Sequence, residues 1–415
     1  MAERDDPPLK GYRVLELGST AAGPFCARLL ADFGAEVIKV EAAEGDPIRQ
    51  LAATYKGKSL YAASILRNKS NISINLRDPR GQDIIRRFAR SVDIVVENFR
   101  PGTLERWNLG YGDLAKINPK LVLVRISGFG QNGPLSQRPG YGVIGEAISG
   151  LRHMIGDPDR PPSRVAIPLT DYIAGVYSAF GAVMALHNAS RTGVGQCVDT
   201  ALYEAAFSFI EPHIPGFEKT GAVPMRAGAK LPDSTPNNLY PTADGSYIHL
   251  AALADAVFER LVMAIGEPEL ANDPRFRTQR ARAENEEALE SIITAWTAAH
   301  DAAEIEAIMT KHAVPAAPVF TIADVFKSDH FRARNMLVNV PDDDLGTVTL
   351  AGIVPKLSRT PGELRWAGRR IGQDTREILR ILGKLSDHEI QNLTSEGVVY
   401  CDPLSDSSMP NEKAS

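Results

Sequence analysis

Strand and helix signals alternate along the N-terminal third of this chain, and no other feature restricts its fold as strongly. Tyr12–Gly18 (YRVLELG) is a β-rich run that enters the small, bend-prone stretch Ser19–Pro24. Ala27–Phe33 then carries apolar residues at helical spacing until Gly34 stops it. Glu36–Glu41 (EVIKVE) predicts a second strand, and Asp78–Ser91, with Pro79 in its first turn and an apolar stripe, predicts a helix. Asp93–Asn98 (DIVVEN) and Leu121–Ile126 (LVLVRI) are further short β-rich runs. Parallel strands need long crossovers, usually helices, so this alternation predicts an α/β fold: a mostly parallel sheet with helices on both faces.

Beyond it, Gly128–Gly142 holds five glycines and two prolines and reads as a loop, of a length that tends to be functional. After Asp171 comes the most regular helix of the first half. Ile173, Val176, Phe180, Val183 and Leu186 form its apolar stripe, and Ala174, Gly175, Ala179 and Ala182 permit close packing. Gln196–Leu202 returns as a strand. The texture changes near residue 215. Lys219–Asn238 is a linker or an active-site loop, Tyr247–Leu253 a strand, and Ala256–Ile265, Glu284–Ala298 and Ala302–Lys311 are amphipathic helices of a smaller lobe. Val314–Val319 returns to strand character, and Asp402–Ser415 is polar, without periodicity, and reads as a disordered tail.

At 415 residues the chain exceeds what one core commonly supports, so at least two lobes are expected. A net charge of -5 gives no electrostatic reason to expect nucleic acid or anionic membrane as a partner. Cys26, Cys197 and Cys401 are too scattered for a disulfide framework or a thiolate metal site, and none of the 8 histidines pairs with another at ligand spacing. The acidic N-terminus lacks the pattern of a signal peptide, and no apolar stretch approaches the roughly twenty residues of a membrane span. A soluble, cytoplasmic protein is expected. A GxGxxG at Gly128, Gly130 and Gly133 runs into Pro134 instead of opening a helix, and so fails as a dinucleotide site. HExxH, GxSxG, CxxC and GxxxxGK[ST] are absent. A carboxylate nucleophile survives this elimination, but spacing alone selects none of the many acids.

Several segments resemble, in collinear order over roughly residues 10–400, the class III CoA-transferases, which include the formyl-CoA:oxalate and carnitine enzymes. They are GYRVLELGSTAAGP (11–24), LLADFGAEVIKVE (29–41), RNKSNISINL (67–76), DIVVENFRPGTLERWNLGYGDL (93–114), ISGFGQNGP (126–134), Asp171 with its helix, TGVGQCVDTALYEAA (192–206), YPTADGSYIHLA (240–251), HAVPAAPVFTIADVF (312–326) and TREILRILG (375–383). The resemblance implies a Rossmann-like large domain with a smaller α+β domain, and an interlocked homodimer in which each subunit threads through the other. Residues 1–216 would form the first part of the large, CoA-binding domain, 217–330 the linker and small domain, 331–400 the return to the large domain and 401–415 the tail.

The same resemblance implies transfer of CoA from an acyl-CoA to a carboxylic acid, with Asp171 as nucleophile and acyl–aspartyl anhydride and aspartyl-CoA thioester as intermediates. As a residue, Asp171 precedes an apolar helical stripe and is first of all a helix N-terminal acid. Both roles are compatible, because a helix start favours the carboxylate anion by up to ~1–2 kcal/mol. No tightly bound cofactor and no metal are expected; CoA and acyl-CoA are substrates. The CoA-contacting positions carried over are Ala21, Ala22, Ile74, Asn75, Leu76, Arg77, Asn98, Phe99, Arg100, Arg106 and Tyr141, with Arg77, Arg100 and Arg106 available to phosphates.

Ala42 stands where the family often has a base, so either Arg49 compensates or the phosphate site is rebuilt. Ala227-Gly228-Ala229 is the nearest candidate for a backbone oxyanion site. An arginine near the acyl pocket, Arg49 or Arg67, would suit a second carboxylate, which points to succinyl-CoA and a dicarboxylic acid. Asp199 is a rival acid whose family counterpart is structural. Two other readings stay open. An α-methylacyl-CoA racemase would carry a His–Asp pair after the glycine-rich loop, where this chain has Gly140-Tyr141-Gly142, and tyrosine is a poor base at neutral pH. A non-catalytic acyl-CoA-binding protein would have no use for Asp171.

Overall fold

The computed structural model describes residues 5–405, which fall into two compact units. One comprises the chain up to Leu151, Val165–Pro215 and the chain from His330 onward; the other comprises Arg152–Arg164 and Gly216–Asp329. The sequence reading placed Arg152–Arg164 with the large domain, whereas it groups with the second unit. The expected tail does not begin at residue 401: Asp402 is buried and accepts from Arg370 Nε at 2.6 Å. Residues 406–415 of that expected tail lie outside the described residues.

In the first unit the strands up to residue 201 are β1 (Arg13–Glu16), β2 (Glu36–Glu41), the two-residue β3 (Thr54–Tyr55) and β4 (Lys58–Ser59), β5 (Lys69–Ile74), β6 (Ile94–Glu97), β7 (Val122–Ser127) and β8 (Cys197–Ala201). Its helices to that point are α1 (Ala22–Asp32), α2 (Leu60–Ile65), α3 (Pro79–Phe88), α4 (Thr103–Arg106), α5 (Tyr111–Ile117), α6 (Gly142–Ile148) and α7 (Leu169–Thr192). The seven-stranded sheet has the order β5-β2-β1-β6-β7-β8 with the short strand Val399–Tyr400 outside β5. All pairings are parallel except that of Val399–Tyr400. Successive strand residues point to opposite faces. Leu15, Ile38, Val95 and Leu123 accordingly enter one core with α3 and the C-terminal helices, while Val14, Val37, Val96 and Val124 enter another with α1 and α7. Both faces are covered, which is why these strands read as continuous apolar runs rather than alternating ones.

Helix α1 begins earlier than its periodicity suggested, inside the small stretch after β1, with Pro24 in the first turn where no N–H is required. Asp78 caps α3 by accepting from Arg80 N, and Gly193, with φ of 78°, ends α7.

Helix α7 packs through the small residues that the sequence offered for close approach, with Leu186 of its apolar stripe buried beside them. Its small residues Ala174, Gly175, Ala179 and Ala182 face the sheet and α1, while Val176, Phe180, Val183 and Met184 lie on the surface. A side chain at position 175 would come within 2.8 Å of Phe25 and 3.1 Å of the Ala22 carbonyl, so close approach of α1 decides which face is buried. By length and composition this helix could cross a membrane, contrary to the expectation that no segment could.

The second unit is a three-stranded antiparallel sheet, Ala316–Pro318, Tyr247–Ala251 and Asn237–Pro241 in spatial order. Helices Asp255–Ala264, Glu286–Thr297 and Ala302–Lys311 pack on it through Phe258, Leu261, Leu289, Ile293, Ile305 and Met309. Fully buried Arg282 ties this unit together by donating to the carbonyls of Thr235, Phe276 and Leu253.

Candidate active site

Strand order changes direction at β1, which lies between β2 and β6. In open parallel sheets ligands bind beyond the carboxyl ends of the strands at such a switch point. A cleft of about 580 Å³ lies there, formed by the segments that follow β1, β2 and β5 and by the side chains of Phe99 and Trp107 after β6. Of the residues expected to contact a ligand, Ile74, Asn75, Leu76, Arg77 and Phe99 line it. Asn98 shapes it from beneath, accepting from Ser19 N and donating to Ser19 O, both at 2.8 Å. Ala21 and Ala22 are buried where the cleft wall becomes α1. Arg100, Arg106 and Tyr141 do not line the cleft: both arginines are exposed, Arg106 folds back onto Thr103, and Tyr141 is 74% exposed at the start of α6. Trp107, missed in the sequence, packs edge-on against Phe99 at 5.3 Å between ring centres. Its only signal there was its place next to Arg106.

Under the cleft lies a buried ion network. Lys39 is bracketed by Glu16 at 3.2 Å and Asp46 at 2.8 Å, and Lys69 binds the second oxygen of Glu16 at 2.6 Å. Burial works to lower the Lys39 pKa, but the surrounding carboxylates more than reverse this and the ammonium is held. Burial likewise opposes the ionised forms of Asp46 and Glu41, yet Lys39 and Arg49 respectively bring both below the usual carboxylate range. Two expectations fall here. Arg49 is engaged by Glu41 at 2.7 and 2.8 Å and by the Arg369 carbonyl, and Arg67 is enclosed with Asp32 and the Ala351 carbonyl. Both guanidinium groups are thus already engaged by a carboxylate and a backbone carbonyl of this chain.

Asp171 sits in the first turn of α7, half-buried, and does not line the cleft. Proline 168, not Asp171, occupies the N-cap position. The carboxylate lies against the first residue of α6: a Cβ on Gly142 would be 1.9 Å from Asp171 Oδ2. Two helix starts therefore converge on one carboxylate, and both favour its anion. Its neighbour Tyr172 packs tilted against Phe25, 4.5 Å between ring centres, and donates to Tyr61 Oη at 2.9 Å. Burial, the Tyr172 hydrogen bond and the charge of Asp171 together raise the Tyr61 pKa, so this phenol stays neutral beside the acid. One turn on, Gly175 packs on Ala22 at the start of α1, the helix that follows the cleft-lining residues Gly18 and Ser19.

Asp199 accepts from Gln131 N at 2.9 Å and thereby anchors the glycine-rich loop. Gly228 belongs to the second unit, where its N–H donates to the Gly156 carbonyl at 3.0 Å, so that N–H is not free for an oxyanion. Among the described residues no cluster of His, Cys, Asp or Glu could hold a metal ion.

A parallel central sheet covered by helices on both faces, with a cleft at its switch point, defines a mixed α/β protein of the open-sheet class. The profile of CoA-transferase family III matches residues 9–375. Succinyl-CoA–D-citramalate CoA-transferase of Chloroflexus aurantiacus is 45% identical over 400 residues, covering 96% of this chain and 100% of that protein. Succinate–glutarate CoA-transferase of Agrobacterium fabrum is 34% identical, covering 90% of this chain and 95% of that protein. A crystal structure of a CAIB/BAIF family protein from Brucella suis superposes with a TM-score of 0.81 at 32% identity, covering 91% of this chain and 100% of that one. The chain belongs to CoA-transferase family III, and it transfers CoA between acyl-CoA and carboxylic acids.

Two outcomes follow from this geometry. Gly142→Ala should displace the Asp171 carboxylate and lower the transfer rate about 100-fold, the effect of an ångström-scale misplacement, with the melting temperature little changed. Initial rates and thermal unfolding check this together. The second concerns Glu97, whose Oε2 accepts from Phe99 N at 2.7 Å. Burial pushes its pKa up from 4.5 to about 7 despite Arg125 at 2.6 Å. A raised carboxyl pKa means that the folded state holds the proton longer, so this group's contribution to stability is present below pH 4.5 and is lost as pH rises to about 7. Urea unfolding across that window should show a shallower pH slope in Glu97→Gln.

Proposed function

We propose that Asp171 is the covalent nucleophile and that succinyl-CoA is the donor, with a small dicarboxylic acid as acceptor. The observation that carries the nucleophile is the placement of its carboxylate at two converging helix starts, on a helix packed against the start of α1. The donor and acceptor classes are supported by the names of the relatives, in which succinyl-CoA or succinate recurs beside citramalate and glutarate.

In the proposed reaction a carboxylate oxygen of Asp171 attacks the thioester carbonyl, and the C–S bond breaks to release CoA thiolate. The thiolate then attacks the aspartyl carbonyl of the mixed anhydride, forms aspartyl-CoA thioester and expels the donor acid. The acceptor carboxylate attacks that thioester and displaces the thiolate, giving a second anhydride. Attack of the thiolate on the acceptor carbonyl yields the new acyl-CoA and restores Asp171. No outside oxidant or proton donor is needed. A nucleophile of this kind must be ionised near neutral pH, which the two helix starts favour. In this reading CoA is a substrate, its base or pantetheine arm would lie against the apolar and aromatic side chains of the cleft, and exposed Arg77 is available to a phosphate.

We also propose an interlocked homodimer. Val176 at 52%, Phe180 at 61% and Met184 at 51% exposure form an apolar face on α7 that a lone subunit would leave in water.

Asp171→Ala should abolish transfer while leaving CoA affinity nearly unchanged. Trapping with hydroxylamine or borohydride during turnover, read by peptide mass, should modify Asp171; label on another residue would overturn the mechanism. Sedimentation equilibrium should show a dimer, and an active monomer at low concentration would refute that arrangement.

A further inference from the structure

Thr20 has a φ of 67°, and it is the one β-branched residue among the described non-glycine residues with positive φ. A β-branched side chain disfavours this conformation strongly, so surrounding structure must hold it there. The grip on Thr20 comes from Asp46, whose Oδ1 accepts the Thr20 N–H at 2.9 Å. Asp46 is itself immobilised: Oδ1 also accepts from Ile48 N at 3.0 Å, Oδ2 binds Lys39 at 2.8 Å, and its N–H donates to Glu41 at 2.9 Å. Lys39 in addition donates to the Gly18 carbonyl. Lys39 and Asp46 thus hold both ends of the turn 18–20, and Asn98 holds its middle residue.

We propose that Asp46, braced by Lys39, is a positioning residue for coenzyme binding: it keeps Thr20 left-handed and so fixes the turn that forms the floor of the cleft. The proposal rests on the reading of that cleft as the CoA site. Gly18 and Ser19 line the cleft directly, and α1 starts two residues after Thr20. A turn relaxed to negative φ would redirect the chain at the cleft floor. Packing alone does not account for the ions. Well-packed apolar side chains can replace a buried ion pair without loss of stability, but they offer no acceptor to the Thr20 N–H. The charges are the means of gripping two backbone groups.

Glycine adopts positive φ without penalty, which supplies a test that a purely structural role would not pass. Asp46→Ala should raise KM for succinyl-CoA, and the calorimetric Kd of CoA, about tenfold, in line with the penalty for a left-handed non-glycine residue, with kcat changed much less. On a Thr20→Gly background the same substitution should have an effect of less than about threefold, because no strain remains to be held. If Asp46→Ala does not fold, Asp46→Asn, a weaker acceptor for the Thr20 N–H, carries the same comparison at smaller amplitude. An unchanged KM and Kd, or an equal rise on both backgrounds, overturns the proposal. The CoA Kd is read without turnover, so failure of the chain to use succinyl-CoA would count against the proposed donor and leave the test of the turn intact.

Discussion

Glu16 ends β1 with its carboxylate enclosed between two ammonium groups, Lys39 at 3.2 Å and Lys69 at 2.6 Å, and none of the three side chains reaches water. Glu16 is in register with Lys39 across the β1–β2 ladder, and Glu97 with Arg125 across the β6–β7 ladder. An acidic side chain thus faces a basic one on both sides of the switch point. Removing one partner of such a buried pair commonly costs about 3–5 kcal/mol, because the other charge is left without compensation. A strand slipped by one residue would pay that penalty and would also turn its apolar residues to the wrong face. The charges at the carboxyl edge therefore fix the register of the strands, and the cleft is assembled from the segments those strands deliver.

The start of α1 links the two parts of the site. Its preceding turn forms the cleft floor, and its first residues pack beneath α7 near Asp171. Small residues make this possible at each contact. Gly175 lets α7 lie on the Ala22 carbonyl, and Gly142 lets α6 meet the carboxylate. The same close approach leaves the large apolar residues Val176, Phe180 and Met184 of α7 on the surface, the face on which the proposed homodimer rests.

Much of this was legible before any coordinates. The alternation of strands and helices, the apolar character of β2 and β7, the cleft positions 74–77 and Phe99, and the family itself can all be read from local pattern and collinear motifs. Asp171 was selected by motif; its role stands as a proposal. The roles of Arg49 and Arg67 were misread because each finds a partner remote in the chain. Arg49 binds the Arg369 carbonyl 320 residues away and Arg67 the Ala351 carbonyl 284 residues away. A guanidinium that looks available to a ligand in one dimension is enclosed in three.

By itself the sequence determined what depends on neighbours along the chain: which segments become strands or helices, where Asp78 and Gly193 shape helix ends, and which family the motifs belong to. Only the tertiary structure decided which face of α7 is buried, that Gly142 lies against Asp171, that Trp107 joins Phe99 in the cleft, and that Thr20 is held left-handed by Asp46. The physical reason is the same in each case. Periodicity and propensity act within a few residues, whereas burial and hydrogen-bond satisfaction are settled by groups that meet only when the sheet closes.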